Sequence, residues 1–502
     1  MKRYLIGIGL CLVLALGILI AGNTAINRTE EQVEQTVTIS RGDRAALTGL
    51  HLTSRITCRQ KLLWETTRNM GSGESQTEFS FHSMDVPLRL SSSRELPPYQ
   101  VFFRLCNSLD ENDALCRRLA QQNASDTTRT VRLQDYFSTY PLYLGECFMD
   151  TDQPYYLNVA TREDWCSEEM PFTLLQIPVE PEDMAEVYFE QSSADIESRY
   201  VDVYFSHIAH PYESFMAACP GGILLTVGFS PDAAPQAAWA PLGFGIWRIP
   251  QDVVEKTTRA GGGYVEQVLH CDRARLVYPL DIETQSVLAF QWSADEKSLF
   301  LVTAEGGEAV LRILDGETFE VQTTVSLGAI AVREEKSIYY GEGMREYPLT
   351  QSYYDRVSIH AQPDFTAIAV GDRLTVLVMA DGAYRVDFSC PMVGLCRDYR
   401  ESPNVPFWSD ERPLAQTDGS TITDSPVTGS PYGDFSHIAM VYRDHKLAMA
   451  WYGGDEATHL HVYGPEGVIY AERSEPSILT QQTSNRHYFY LSDDLPQLTW
   501  LG

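Results

Sequence analysis

The sequence predicts an all-β fold, on three observations. Short runs rich in β-branched and aromatic residues recur along the chain and are bounded by Gly, Asp and Pro turns, as in sequential antiparallel hairpins. Helical periodicity is sparse by comparison. Three strand groups, centred near residues 300, 367 and 439, repeat one layout about every 70 residues. The predicted elements therefore follow one another as strand, tight turn and strand.

An apolar segment opens the chain and predicts a membrane anchor. Tyr4 to Ala21 is an uncharged run of 18 residues preceded by Lys2 and Arg3. A helix of this length covers about 27 Å, close to the hydrocarbon thickness of a bilayer. The positive charges favour a cytoplasmic tip (residues 1–3), a transmembrane signal-anchor helix (residues 4–22) and an extracytoplasmic remainder. A cleaved secretory signal is the alternative, and it places the remainder on the same side of the membrane.

Composition distinguishes a polar stalk from a folded domain, and the net charge argues against a nucleic-acid partner. Residues 23–41 are polar and predict a stalk. Residues 42–502 are dense in aromatic and β-branched side chains and predict an extracytoplasmic domain. The chain has 38 Lys and Arg against 68 Asp and Glu, a net charge of −30. Such a surface repels phosphate, so no nucleic-acid partner is expected.

Most of the strand predictions that we make lie after residue 200. They are Tyr200–His207, Gly222–Phe229, Ser298–Thr303, Ala309–Leu314, Phe319–Thr323, Phe365–Val370, Leu374–Met379, Tyr384–Phe388, Ser436–Tyr442, Lys446–Trp451, His459–Tyr463 and Val468–Glu472. Two helices are predicted, over Asp110–Gln122 and over Gln251–Arg259 after Pro250. The last strands, near Tyr488–Leu491 or Leu498–Leu501, are expected to pair with an early strand, because pairing covers an exposed sheet edge.

The strand groups carry a recognisable turn motif. Ser293–Leu299 (SADEKSL) resembles the S-x-D-x-x-x-L opening of a β-propeller blade, Pro363–Val370 is similar, and Gly433–Ala439 is a looser match. The resemblance covers about the last 220 residues and implies four-stranded antiparallel blades around an axis. At roughly 65 residues a blade, the domain is expected to hold about seven blades.

A second resemblance concerns the start of the folded part. Gly42–Leu50 contains Gly-Asp and Ala-Leu-x-Gly-Leu, and Leu62–Thr67 reads Leu-x-Trp-x-Thr-Thr. Both are similar to segments of membrane-anchored β-propeller-like proteins of Gram-positive bacteria with WD40- or YVTN-type repeats. That family has no assigned activity, so the resemblance implies location and architecture only.

The chain lacks strong catalytic motifs. A nucleophile elbow, a zinc-protease helix, a P-loop, an EF-hand and a kinase signature are all absent from the sequence. We therefore assign no catalytic residue, no metal and no cofactor. The acidic cluster Asp110–Asp113 offers oxygen ligands for Ca²⁺, but helix capping explains it as well.

Two histidine pairs are candidate metal ligands. His207 and His210 lie three apart, so on a strand they face opposite sides. His459 and His461 lie two apart and are expected to share a face, which suits one ion better. The third ligand would come from His437, His445 or Asp455. A polar strand face accounts for this pair equally well.

Cysteine usage does not indicate a disulfide scaffold. Cys11 lies in the anchor, and nine others are spread thinly without a CxxC pair. Buried free thiols are therefore expected. Cys390 and Cys396 are the only close pair.

Taken together, the sequence favours a membrane-tethered extracytoplasmic binding or scaffold protein. Its partners would be the membrane, through residues 4–22, and another surface protein or a glycan. The alternative is a cell-surface hydrolase acting on glycans, which needs two carboxylates about 5–9.5 Å apart. An apolar patch on the rim of the domain would favour a protein partner over an enzyme.

Overall fold

The computed structural model describes residues 14–18, 20–21, 35–58, 62–81, 99–103, 129–135, 137–140, 142–146, 170–181, 183–191, 199–205, 212–257, 263–341, 345–392, 438–452, 457–476, 489–491 and 495–501. These residues form mostly β-strands joined in antiparallel sheets, so the all-β prediction is confirmed. The chain divides into two compact units, Met1–Ser93 with Ser358–Gly502, and Arg94–Val357. The predicted folded domain, residues 42–502, thus spans both.

The strands follow one another in chain order. The first unit begins with β1 (Gln35–Arg41), β2 (Leu50–Cys58), β3 (Leu62–Asn69) and β4 (Ser75–Phe81). The second unit contains β5 (Tyr99–Phe103), β6 (Arg129–Arg132), β7 (Leu142–Glu146), β8 (Met170–Pro171), β9 (Met184–Gln191), β10 (Arg199–Phe205), β11 (Tyr212–Cys219), β12 (Gly222–Phe229), β13 (Gly245–Thr257), β14 (Gly263–Leu269), β15 (Arg275–Pro279), β16 (Gln285–Trp292), β17 (Ser298–Glu305), β18 (Glu308–Asp315), β19 (Val321–Ala329), β20 (Val332–Gly341) and β21 (Arg345–Tyr354).

The first unit then resumes. Its remaining strands are β22 (Val357–Ala361), β23 (Phe365–Val370), β24 (Arg373–Ala380), β25 (Ala383–Pro391), β26 (Ala439–Arg443), β27 (Lys446–Tyr452), β28 (Thr458–Gly464), β29 (Gly467–Pro476), β30 (Phe489–Leu491) and β31 (Gln497–Trp500). Short 3₁₀ helices span Arg44–Leu47, Leu133–Asp135, Ala237–Trp239 and Cys271–Arg273.

In the first unit, the residues that the structure describes form three sheets. Their strand orders are β30-β2-β3-β4 with β31 also on β2, β1-β29-β28-β27-β26, and β22-β23-β24-β25. Strand β27 is apolar on both faces, and β28 has one apolar face. Ala448, Ala450 and Leu460 pack against Leu50 of β2, whereas Met449 and Trp451 pack in a cluster with β23–β25. The middle sheet is therefore buried between the other two.

Strands from each end of the chain pair with a strand that lies near the other end of the sequence. The N-terminal strand β1 pairs with β29, from Gln35 opposite Pro476 to Arg41 opposite Ala471. At the C-terminus, β30 and β31 both pair with β2. The prediction that the last strands pair with an early strand is confirmed.

Two glycines of the Gly42–Leu50 segment make this exchange of strands possible. Gly42 and Gly49 both adopt positive φ, +83° and +82°, where a side chain is strained. A Cβ at position 42 would overlap the carbonyl oxygen of Ile469, and a Cβ at position 49 would overlap that of Leu501. Leu501 also donates its N–H to the Gly49 carbonyl at 2.8 Å. Glycine is thus required where the two chain ends approach.

Part of the predicted stalk, residues 23–41, is not a stalk. Residues 35–41 form β1, because apolar and polar residues alternate in QTVTISR and the segment pairs in antiparallel fashion with β29. Further towards the N-terminus, residues 14–18 and 20–21 are helical, and the rest of the predicted anchor, residues 4–22, lies outside the described residues. Within the described part of the chain, no helix has the length and apolarity to span a bilayer.

The described residues of the second unit form five sheets. Their strand orders are β5-β7-β8, β10-β9-β6, β11-β12-β13-β14 with β15 on β13, β16-β17-β18-β19, and β20-β21. Its main core joins the β11–β15 and β16–β19 sheets through Ile223, Trp247, Phe290 and Leu299. The strand predicted over Gly222–Phe229 is confirmed as β12, and all its residues are buried.

The helix predicted over Gln251–Arg259 is wrong. Residues 245–257 form the long strand β13. Pro250 faces Gly222 at the point where pairing with β12 ends, so its missing N–H costs little there. Beyond it, Val253 and Val254 are β-branched and pair with β14. The helix predicted over Asp110–Gln122 lies outside the described residues.

The blade-like turn before β17 is held by its own polar side chains. Ser293 donates its hydroxyl to Asp295 at 2.8 Å and accepts the N–H of Ser298 at 3.0 Å. Asp295 also accepts the N–H of Lys297 at 3.2 Å. The Ser293 hydrogen bond is the main cause that lowers the pKa of Asp295. The Ser-x-Asp pattern therefore specifies a turn by satisfying backbone donors.

Matched truncations test whether β1 belongs to the fold. Removing residues 1–34 leaves every described pairing in place, whereas removing residues 1–41 exposes the edge of β29. We expect the shorter truncation to keep the melting temperature of the folded part and the longer one to lower it by several degrees. Differential scanning calorimetry of both proteins makes the comparison, and equal melting temperatures would contradict a structural role for β1.

Candidate functional site

The predicted histidine pair shares one face of β28, next to a tryptophan. The His459 ring stacks on Trp451 of β27 with 5.2 Å between centroids, and the His461 ring meets the indole edge-on at 5.0 Å. The His461 Nδ1 lies 3.3 Å from the Tyr463 hydroxyl. Burial, with the neighbouring His459, lowers the pKa of His461 from 6.5 to about 4. His461 is therefore neutral near pH 7 and acts as a packing group.

The structure does not complete a metal site around this pair. In the described ranges, no three His, Cys, Asp or Glu side chains are arranged to hold an ion. Of the suggested third ligands, His445 lies at the opposite end of β27 from Trp451 and is bound to Asp387. The other candidates weighed from the sequence lie outside the described residues: His207, His210, His437, Asp455 and Asp110–Asp113.

A second histidine site, which sequence reasoning did not assemble, lies between β25 and the β26–β27 turn. Its centre is Asp387, whose side chain is 7% exposed. Asp387 Oδ1 lies 2.6 Å from His445 Nδ1, and Asp387 Oδ2 accepts a hydrogen bond from the Tyr442 hydroxyl at 2.9 Å. The imidazole of His445 is 71% exposed. A buried carboxylate thus orients a surface imidazole and leaves its Nε2 available to a partner.

Two local backbone features create this site. The ladder between β24 and β25 shifts register, with Val376 opposite Phe388 and Leu377 opposite Val386, so Asp387 is the extra residue of a β-bulge. Asp444 and His445 both have positive φ, 47° and 59°, as the two central residues of a tight hairpin turn require. The bulge and the turn bring the carboxylate and the imidazole together.

The site continues into the core through aromatic rings. Phe365 of β23 lies 5.8 Å from Tyr442 between ring centroids, and His360 of β22 lies 6.3 Å from Phe365. Burial lowers the pKa of His360 to about 4. Burial and the hydrogen bond to Asp387 raise the pKa of Tyr442 to about 12. Behind Asp387, the site is therefore backed by uncharged aromatic groups.

A buried ion pair joins two sheets of the same unit. Arg68 of β3 pairs through Nη2 with Glu472 Oε1 of β29. The Tyr470 hydroxyl donates to Glu472 Oε2 at 2.5 Å. Desolvation lowers the pKa of Arg68, and the charge of Glu472 opposes that shift. Removing one partner of such a pair costs about 3–5 kcal/mol, because the other charge is then left buried and uncompensated.

Carboxylates of the second unit are also held by hydrogen bonds or ion pairs. Asp183, which is fully buried, accepts hydrogen bonds from the Tyr140 hydroxyl at 2.5 Å and from the Glu180 N–H at 2.7 Å. Glu305 also pairs with Arg312, and Asp355 pairs with Arg333. These carboxylates hold neighbouring elements together.

The described thiols are unpaired. Cys271 and Cys390 are free and buried, as expected for structural cysteines, and Cys219 is free and half-buried. Cys396, the suggested partner of Cys390, lies outside the described residues.

Comparison with known proteins gives weak structural likenesses only. No protein-family profile and no curated protein matches the chain. A structure from an analysis of two prolyl endopeptidases is 9% identical over 85% of this chain and 42% of its own, with a TM-score of 0.19. TolB from Acinetobacter baumannii is 11% identical over 91% and 84%, with a TM-score of 0.16. Oligopeptidase B from Leishmania major is 11% identical over 66% and 46%, with a TM-score of 0.15.

These figures limit what the likenesses mean. The chain spans less than half the length of the two peptidases that it matches. At such TM-scores the three structures carry no argument about the fold or the activity of this protein.

The histidine beside Trp451 makes stability depend on pH. Above about pH 6.5 His461 is neutral in both folded and unfolded chains; as the pH falls towards 4, the unfolded chain takes up the proton first. We expect stability to decline over this window and His461→Gln to reduce the decline. Urea unfolding at pH 7 and pH 5 measures it, with His51→Gln as the control. An unchanged pH dependence in His461→Gln would count against the assignment.

The Asp387 carboxylate is expected to stabilise the β25–β27 region. Asp387→Ala leaves the Tyr442 hydroxyl without its acceptor, which costs about 1–3 kcal/mol of unfolding free energy. The matched control is Asp364→Ala, at an exposed carboxylate in the turn before β23, which we expect to have little effect. Chemical denaturation compares the two variants, and equal losses would show that Asp387 has no special role.

Proposed function

We propose that this chain is a membrane-tethered, extracytoplasmic scaffold protein that binds another protein of the cell surface through its β-rich part. The apolar run of residues 4–22 behind Lys2 and Arg3 supports the tether and its orientation. Acidity of the whole chain favours a partner with a neutral or basic contact surface.

A β-propeller-like arrangement of about seven blades is part of the proposal. Two features support it. Sheets such as β16–β19 and β22–β25 are antiparallel, four-stranded and built from consecutive strands. The exchange of terminal strands, β1 onto β29 and β30 and β31 onto β2, is the kind of closure that covers sheet edges in a ring.

The observation that carries the proposal is an apolar patch at the end of the β24–β25 hairpin. Met379 and Val386 are 43% and 44% exposed. Met379 lies directly opposite Tyr384, and Val386 lies opposite Leu377, so Met379, Tyr384 and Val386 share one face. That face points away from the core formed by Val376 and its neighbours. We call these three residues the hairpin patch.

The hairpin patch has the character of a protein contact. It combines a flexible thioether, an aromatic ring and a branched aliphatic side chain on a rigid two-stranded support. The neighbouring Asp381–Gly382 turn has positive φ at both residues, 52° and 77°, which fixes the end of the hairpin. A preorganised surface of this kind loses little conformational entropy on binding.

The alternative, a hydrolase acting on glycans, has less support. The buried carboxylates described above are bound by arginine, tyrosine, histidine or backbone N–H groups, and their bonds hold sheets and turns together. A catalytic pair needs one acid and one base free to exchange protons with substrate.

Crosslinking on intact cells tests the proposal. A membrane-impermeant crosslinker is expected to join the wild-type chain to a specific surface protein, and the double variant Met379→Ser, Val386→Ser to lose that product. Val321→Ser is the control, because Val321 is 45% exposed but lies on β19 of the other unit. Equal yields of the crosslinked product from the double variant and from wild type would show that the hairpin patch does not bind the partner. Absence of any specific product from wild type would contradict the scaffold function.

A further inference from the structure

Two arginine donors in the first unit are buried without hydrogen-bond partners. They are Arg68 Nη1 and Arg44 Nε. Arg68 is only 4% exposed. Its Nη2 pairs with Glu472 Oε1, and the Tyr470 hydroxyl occupies Glu472 Oε2. Arg68 therefore binds Glu472 through Nη2 alone, and its Nη1 has no acceptor.

The charges around Arg68 are also unbalanced. Arg44 forms a hydrogen bond with the Tyr470 hydroxyl. The groups that act electrostatically on Arg68 are Glu472, Tyr470 and Arg44. Two guanidinium groups therefore face one carboxylate around a tyrosine with no exposed surface. An unpaired charged donor in such surroundings costs at least about 1–3 kcal/mol.

The backbone keeps Arg44 in place. Arg44 starts the 3₁₀ helix that follows Gly42, and its Nη1 lies over Gly73 of the β3–β4 turn, where a Cβ would collide with it. Gly73 has positive φ, +79°. The guanidinium of Arg44 thus fills the space that a side chain at position 73 would take, beside the Arg68–Glu472 pair.

We propose that Arg44 and Arg68, beside Tyr470, form a site for a small monovalent anion of the size of chloride. One such ion balances the excess positive charge and accepts hydrogen bonds from donors that have none. The nearly complete burial of Arg68 and Tyr470 favours a monatomic ion over a carboxylate or a phosphate ester. The ion would strengthen the junction between the 3₁₀ helix Arg44–Leu47, β3 and β29, independently of any partner that the protein binds.

Thermal unfolding of the full-length chain in detergent tests the site. Gluconate is replaced by chloride at constant ionic strength, so that general screening stays the same. Because a ligand of the native state stabilises it by mass action, the melting temperature is expected to rise with chloride concentration. Arg44→Gln is expected to lose this rise. Arg55→Gln, on β2 and paired with Glu65, is the control and keeps it.

A second variant covers the case in which Arg44→Gln does not fold. Arg44→Lys retains the charge but removes the Nε donor. We expect its melting temperature to respond to chloride at about tenfold higher concentration than wild type, which is the effect of losing one charge-assisted hydrogen bond. Crystals grown in bromide are expected to show an anomalous peak beside Arg68 Nη1. Equal melting temperatures in chloride and gluconate, an unchanged chloride response in the Arg44 variants, or an ordered water in place of bromide would each overturn the proposal.

Discussion

Pairing between the two ends of the chain is the constraint on which the first unit depends. Without β1, strand β29 would present an unpaired edge, and without β30 and β31, strand β2 would do so. The exchange requires the chain to turn sharply at Gly42 and Gly49, where backbone meets backbone too closely for a Cβ. Further contacts lock it: Trp500 Nε1 donates to the Thr48 carbonyl at 3.1 Å, and Arg443 Nη1 donates to the Leu501 carbonyl at 2.7 Å. Residues far apart in sequence thus become a single cooperative structure.

This closure buries the middle sheet on both faces, and burial decides what its polar groups do. A charged side chain between two sheets needs a partner, which explains why Arg68 and Glu472 occur together. Histidines in the same position lose their charge instead, and His461 shows this through its low pKa. The buried polar groups of the first unit therefore mainly hold its sheets together. Where one cluster retains an excess of positive charge, around Arg44, an anion is the simplest means of balance.

Groups that remain available to partners lie at hairpin ends. His445 and the hairpin patch are both presented by tight turns whose central residues have positive φ. The bulge at Asp387 connects them, because the same strand, β25, carries Tyr384 and Val386 on one side of the bulge and supports His445 through Asp387. A rigid turn that displays apolar and polar groups close together suits recognition of another macromolecule better than chemistry on a small substrate.

Local pattern in the sequence determined which segments are strands. Gly222–Phe229 and Phe365–Val370 were predicted with the bounds that β12 and β23 have, because turn residues and β-branched runs act within a few positions. Pairing of the last strands with an early one also followed, since exposed edges are unfavourable. Tertiary structure alone decided that residues 251–257 are strand, because pairing with β14 outweighs a weak helical signal. It alone joined Arg68 to Glu472, 404 residues apart, and moved Asp387 out of register towards His445. Such contacts depend on sheet register and packing, which side-chain periodicity within a segment does not encode.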